Sequence, residues 1–134
     1  MTEGGCLCGA VRYRTAARPI MTGRCCCRNC QKLSGGGHAD NLAYPEASVT
    51  VTGQPRDFCW TADSGGTVTT SFCPQCGSPL FGRSSSMPGL LVLRAGSLDD
   101  PSVYSPQMVV YLSSRQPWVT LDPNLPTFET MPTS

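Results

Sequence analysis

Cysteine carries most of the chemistry this sequence can do. The 134 residues include nine cysteines, eight of them in three short groups. Cys6 and Cys8 form C-x-C before Gly9; Cys25, Cys26, Cys27 and Cys30 crowd into six positions; Cys73 and Cys76 form C-P-x-C before Gly77; Cys59 stands alone. In a C-P-x-C-G turn two sulfurs converge on one ion while backbone N–H groups point at the thiolates, and the trailing glycine permits the positive φ of so tight a bend. Two ligands do not complete a structural zinc site, which is four-coordinate and tetrahedral. Cys6 and Cys8, also followed by glycine, are the natural second pair, tying the N-terminus to mid-chain across some 65 residues. Metal binding there contributes directly to folding. A redox C-x-x-C belongs in a βαβ setting, and no such pattern surrounds this one.

The middle group has a different character. Cys25, Cys27 and Cys30 form C-x-C-x-x-C, and three protein ligands with an open fourth position are the pattern of a catalytic zinc. The open position accepts water or a substrate atom, and a thiol that reaches it becomes the nucleophilic thiolate. Alternatively Cys26 closes the shell and makes a second structural site. Adjacent residues of an extended segment point to opposite faces, which favours Cys25 with Cys27 and leaves Cys26 outside. An exchange of pairs between the two sites also stays open. His38, the only histidine, follows residues 34–37 and offers a fourth ligand or a proton carrier, against the commoner role of a surface or packed residue. A single histidine excludes a His-rich hydrolase centre and a Cys₂His₂ finger.

Composition narrows the setting. An odd number of cysteines excludes a fully paired disulfide framework within the chain. No stretch approaches the roughly 20 apolar residues of a membrane span, and the N-terminus lacks the basic and apolar regions of a signal peptide. A cytoplasmic protein with reduced thiols is therefore expected, in which clustered cysteines bind metal or react. Ten basic and nine acidic residues give a net charge of +1 with no run of either sign, which argues against nucleic acid and anionic membrane as partners. Nine of the ten basic residues are arginine, the better fork for carboxylates, which suits a small acidic ligand.

The elements that must position these thiols are short. Glycine and proline make up about a fifth of the chain, favouring turns and brief strands over long helices. Alternating or β-branched character predicts strands at 11–15, 48–52, 58–61 and 67–72, the last two joined by a hairpin loop at Ser64-Gly65-Gly66. Nearly continuous apolar runs predict buried strands at 90–95 and 109–112. Helical pieces are confined to 27–33 and to 98–103, where Pro101 limits the second. Beyond Trp118 prolines recur among few apolar residues, so the last residues are expected to be loosely held.

Taken in order, the motifs resemble a known family. C-x-C-G-A at Cys6, C-x-C-x-x-C followed by Ser34-Gly35, and F-C-P-x-C-G-S-P-L-F from Phe72 are similar to the glutathione-dependent formaldehyde-activating enzymes. Gly96-Ser97-Leu98-Asp99-Asp100-Pro101, Pro106, Tyr111 and Pro117-Trp118 extend the resemblance over about residues 5–128. It implies one zinc-binding domain over 1–134, mostly β, in the Mss4-like fold of short curved antiparallel sheets pinned by zinc, with very little helix. It implies two zinc ions: a structural one on Cys6, Cys8, Cys73 and Cys76, and one at the active site on Cys25, Cys27 and Cys30. It further implies condensation of formaldehyde with glutathione to S-hydroxymethylglutathione, or its reversal by a carbon–sulfur lyase. Arg24, Arg28 and Lys32 either face glutathione's carboxylates or are solvated. Cys26 and Val109 stand where that family commonly carries histidine. The alternatives are a non-catalytic zinc module that binds a partner through a strand edge or loop, and a thiol or metal sensor with Cys26 as an accessible redox partner. The identity of aldehyde and thiol, and the oligomeric state, a homodimer included, stay open at this stage.

Overall fold

Frequent turn residues cut the chain into short strands that pair mostly with their sequence neighbours. In the computed structural model, which describes residues 1–132, these are β1 (Thr2–Gly5), β2 (Arg12–Thr15), β3 (Met21–Cys25), β4 (Ala39–Pro45), β5 (Val49–Thr52), β6 (Arg56–Thr61), β7 (Thr67–Phe72), β8 (Pro79–Ser84), β9 (Leu90–Arg94) and β10 (Val109–Val110). One α-helix, α1 (Arg28–Ser34), separates β3 from β4. A three-stranded sheet runs β1-β2-β5 and a seven-stranded sheet runs β10-β3-β4-β9-β8-β7-β6. The pairings are antiparallel except β10 with β3, which is parallel. The mostly β, helix-poor architecture expected from the sequence is what is found.

The two sheets share one core. Val11, just before β2, and Tyr13 from the smaller sheet meet Leu42, Tyr44, Phe81, Leu91 and Leu93 from the larger. Tyr13 meets Phe81 edge to face, with centroids 6.3 Å apart and planes at 81°, the geometry aromatic quadrupoles favour. The Tyr13 hydroxyl lies 2.5 Å from Ser97 Oγ, so the polar tip of this buried ring is satisfied. The register of β4 explains the division of faces: Leu42 and Tyr44 point into the core, while Asn41 and Ala43 point to the opposite face.

Several elements depart from the sequence expectation. The 98–103 helix is replaced by two 3-10 turns, Ala95–Ser97 and Pro101–Val103. The strand expected over 109–112 stops at Val110 because Tyr111 turns into the left-handed region at φ 56°. The segment after Trp118 is not loose throughout. Pro126 accepts from the Val109 N–H at 2.9 Å, Phe128 donates to Val109 at 2.9 Å, and Thr130 accepts from Tyr111 at 3.1 Å. These bonds lay residues 126–130 along β10, so backbone pairing holds a stretch that has little apolar side chain to bury. The expectation for Thr133 and Ser134 falls outside the described residues.

Candidate functional site

The structure gathers the cysteines into the two groups that spacing suggested. The Sγ atoms of Cys6, Cys8, Cys73 and Cys76 lie within 4.8 Å of one another, as do those of Cys25, Cys27 and Cys30. All nine cysteines are free of disulfides. Convergent thiolates suit a soft or borderline ion such as zinc, and not magnesium or calcium, which prefer oxygen. Both donor sets therefore fit the metal the sequence implies.

The four-sulfur group is built from two turns. The β1–β2 turn carries Cys6 and Cys8, and the β7–β8 turn carries Cys73 and Cys76. Cys8 Sγ lies 3.6 Å from Cys6 Sγ and 3.7 Å from Cys73 Sγ. Backbone N–H groups face the sulfurs: Val11 donates to Cys6 at 3.3 Å and Gln75 to Cys73 at 3.4 Å. Ser78 joins the turns, since its Oγ accepts from Leu7 N–H at 3.0 Å and lies 3.2 Å from Cys76 Sγ. Hydrogen bonds from the Ser78 hydroxyl, the Ser78 N–H and the Cys8 N–H lower the Cys76 thiol to about 5. Gly77 has φ 78° with nothing near its missing side chain, so the backbone conformation alone calls for glycine there. Cys6 and Cys73 are buried in the core.

The three-sulfur group is local. Cys25 ends β3, paired with Ala39 of β4 on one side and Val110 of β10 on the other. Cys27 is the N-cap of α1, its sulfur accepting from Cys30 N–H at 3.3 Å, and Cys30 occupies the first turn. Without a metal, the neighbouring Cys25 and Cys30 thiols, together with the Cys30 and Asn29 N–H groups, hold the Cys27 thiol well below its ordinary range. Cys25 is pushed up by Cys27, by Cys30 and by burial. The negative charge thus settles on the sulfur at the helix start, where peptide N–H groups are unpaired.

What surrounds this group differs from the sequence expectation. Cys26 is fully buried, its N–H donating to Val110 at 3.0 Å, and it stays outside both sulfur groups. It is therefore no accessible redox partner; burial raises its thiol. His38 also lies apart from the sulfurs, with Nδ1 facing Asp40 Oδ2 at 3.3 Å. Arg24 donates to Asp40 at 2.9 Å, Arg28 bonds Gln31, and Lys32 is exposed. The cation that does face the thiols is Arg94, at the end of β9. It bonds the Asn41 side chain and is lowered by burial but sustained by the charges of Cys30, Cys25 and Cys27. Its signal in the sequence was a lone charge closing the run Leu90-Leu91-Val92-Leu93. Gln31 was also missed. It is 5% exposed, and its Nε2 donates to Cys26 O at 2.8 Å and Ser114 O at 3.0 Å, pinning α1 to the segment after β10.

Two cavities adjoin the site, and Arg94 lines both. One, of about 670 Å³, runs past Arg12, Ser34, His38 and Ser97. The other, of about 210 Å³, opens directly on Cys25 and Cys30. Tyr111 also stands near: burial, then the charges of Cys25 and Cys27, raise its phenol. It is the sole non-glycine residue with positive φ among the described residues, a conformation that costs about 1–2 kcal/mol. Such strain concentrates at functional sites.

Comparison with known proteins agrees with this geometry. The profile of the glutathione-dependent formaldehyde-activating enzyme family matches residues 1–114. A Halomonas elongata protein, provisionally named a glutathione-dependent formaldehyde-activating enzyme, is 30% identical over 128 residues, covering 91% of this chain and 82% of its own. A crystal structure of a Rhodobacter sphaeroides protein superposes with a TM-score of 0.58 at 17% identity, covering 94% of this chain and 98% of the other. At that identity the likeness speaks for the fold alone.

Proposed function

Because this chain belongs to the glutathione-dependent formaldehyde-activating enzyme family, we propose that it joins a low-molecular-weight thiol, glutathione or a relative, to a small aldehyde. In the reverse direction this is a zinc-dependent carbon–sulfur lyase reaction. One observation carries the reading: Cys25, Cys27 and Cys30 form a three-thiolate set beside an open cavity and a partly buried guanidinium. The reading assigns two zinc ions per chain, a structural one on Cys6, Cys8, Cys73 and Cys76 and one on Cys25, Cys27 and Cys30. A zinc ion at the second set supplies positive charge that keeps a thiol ionised at neutral pH.

The reaction needs no oxidant. The thiol gives up its S–H proton, a carbon–sulfur bond forms, and the carbonyl oxygen becomes a hydroxyl. Arg94 offers fixed positive charge where negative charge develops on that oxygen, a role that gains weight in a site shielded from water. Arg12, in the wall of the larger cavity, is already held by Asp99, as Arg24 is by Asp40, which leaves Arg94 as the guanidinium there without a carboxylate partner among the described residues.

Magnetisation-exchange NMR on glutathione with formaldehyde tests the reading, because the uncatalysed reaction is itself appreciable. The zinc-loaded protein should accelerate exchange in proportion to its concentration; no acceleration with any short aldehyde sinks the proposal. A second reading, a non-catalytic zinc module, is favoured by the outer strand β6. It ends the larger sheet and exposes Phe58, 59% accessible and stacked on Trp60. Full thiol-exchange activity after Phe58→Ser, with loss of a captured partner, would support two roles on one domain.

A further inference from the structure

The cavity of about 210 Å³ beside Cys25 and Cys30 is far larger than formaldehyde requires. A two-heavy-atom aldehyde is comparable to a water molecule, whose share of liquid volume is about 30 Å³, whereas an apolar cavity of about 150 Å³ accommodates benzene. The lining is also more apolar than so polar a guest needs, although Arg24, Asn41, Arg83 and Arg94 reach its edge. The cavity lies on the face of the larger sheet turned away from the core. Its floor is Gly23, Ala43, Gly82 and Val92. The glycines keep that floor low. A side chain at Gly23 would meet Met108 Cγ at 3.1 Å, and one at Gly82 would meet the Thr69 carbonyl at 3.2 Å and Arg94 Nη2 at 3.6 Å. Arg94 therefore leans over Gly82 at one end, beside the thiols.

Methionine makes up much of the wall, beside Val68, Val110 and a few polar residues. Of the five methionines in the chain, Met21, Met87, Met108 and Met131 line this one cavity. They come from β3, the β8–β9 turn, the residue before β10, and the far end of the chain, so their convergence owes nothing to sequence proximity. Methionine is unbranched and polarisable, and it shapes itself around apolar guests of varied outline.

We infer that this methionine-walled cavity receives the carbon chain of an apolar aldehyde, so that the substrate is an aliphatic or aromatic aldehyde of roughly five to seven carbons. This rests on the thiol–aldehyde reading above. The reacting carbon lies at the Cys25, Cys30 and Arg94 end, and the hydrocarbon runs along the Gly82–Val92 floor between the methionines. Each buried methylene contributes about fourfold in affinity. A six-carbon chain should therefore outbind a one-carbon group by on the order of 1,000-fold.

Methionine-methyl NMR tests this on the zinc-loaded full chain labelled with ¹³C at the methionine methyls. Met1, 80% exposed, serves as the internal control. Three stable probes are compared: hexanamide, S-hexylglutathione and S-methylglutathione. The cavity methionines should shift with hexanamide and with S-hexylglutathione while Met1 stays, and S-hexylglutathione should bind on the order of 1,000-fold more tightly than S-methylglutathione. Val92→Phe, which fills the floor, should abolish the hexanamide shifts. Met21→Phe at the 38% exposed rim does the same if the first variant does not fold. Equal affinity for the two glutathione conjugates overturns the pocket and leaves the thiol reading intact. Hexanamide binding with neither conjugate bound supports the pocket and removes the thiol reading. Shifts at Met1 as large as those in the cavity, or none at all, overturn the inference.

Discussion

The two sulfur groups use the same ligand type to opposite effect. In the first, four thiolates come from two turns 65 residues apart, between Cys8 and Cys73. Two of them are buried in the core, and Ser78 bonds one turn to the other. In the second, three thiolates come from six consecutive residues, with a cation and a cavity alongside. A complete set drawn from distant segments stabilises a fold, because it cross-links chain that would otherwise be free. An incomplete local set cross-links almost nothing and leaves one side accessible. Ligand provenance separates the roles more clearly than ligand count does.

Breaking one group at a time gives the largest contrast. Cys73→Ser should abolish soluble folding, since metal binding at a structural site contributes about 10 kcal/mol or more, comparable with a whole domain's stability. Cys30→Ser should leave a folded protein with one zinc fewer, measured by native mass spectrometry beside thermal unfolding. Equal collapse of both variants would erase the distinction. Next, Arg94→Met should slow thiol–aldehyde exchange by about 100-fold while both metals stay bound. Gln31→Leu should cost about 1–3 kcal/mol by orphaning the Cys26 and Ser114 carbonyls. It should weaken metal affinity at the second group alone, read by competition with a chelator. The smallest effect concerns the Arg12–Asp99 pair that ties β2 to the turn after β9, with Nη1 donating to Oδ1 at 2.8 Å. Hydrogen bonds from Arg12 hold the Asp99 carboxyl below its ordinary 3.8. The folded state thus binds that proton more weakly than the unfolded state. The pair's contribution is complete above pH 3.8 and fades as the pH falls further. Asp99→Asn should remove this increment near neutrality and converge on the wild type in acid, as followed by denaturant midpoints.

Legibility followed the range of the interactions involved. The two thiol clusters were readable because their geometry is written in spacings of two and three residues, and Cys26 lies outside both, as alternation suggested. Strands with β-branched alternation, such as β5 and β7, were readable for the same local reason. β1, β4 and β8 were not. Their residues, including Gly4, Asp40, Asn41 and Gly82, have poor strand propensity and are held by neighbouring strands. The surroundings of the second group stayed hidden because Arg94, Gln31 and the four methionines reach it through the sheet order β3-β4-β9 and through the returning tail. That order leaves no trace in short-range pattern.

The wide separation of the first group's ligands has a consequence during synthesis. At about 5–20 residues per second, the 65 positions between Cys8 and Cys73 take roughly 3–13 s to translate. Through that interval the N-terminal pair waits without its partners, while Cys25, Cys27 and Cys30 emerge together on one short segment. On the proposed two-zinc reading, the nascent chain would meet its first ion at the three-thiol group, and the ion of the four-thiol group would arrive second. On that reading, scarce zinc would leave chains with the three-thiol group loaded before the four-thiol group that staples the two turns.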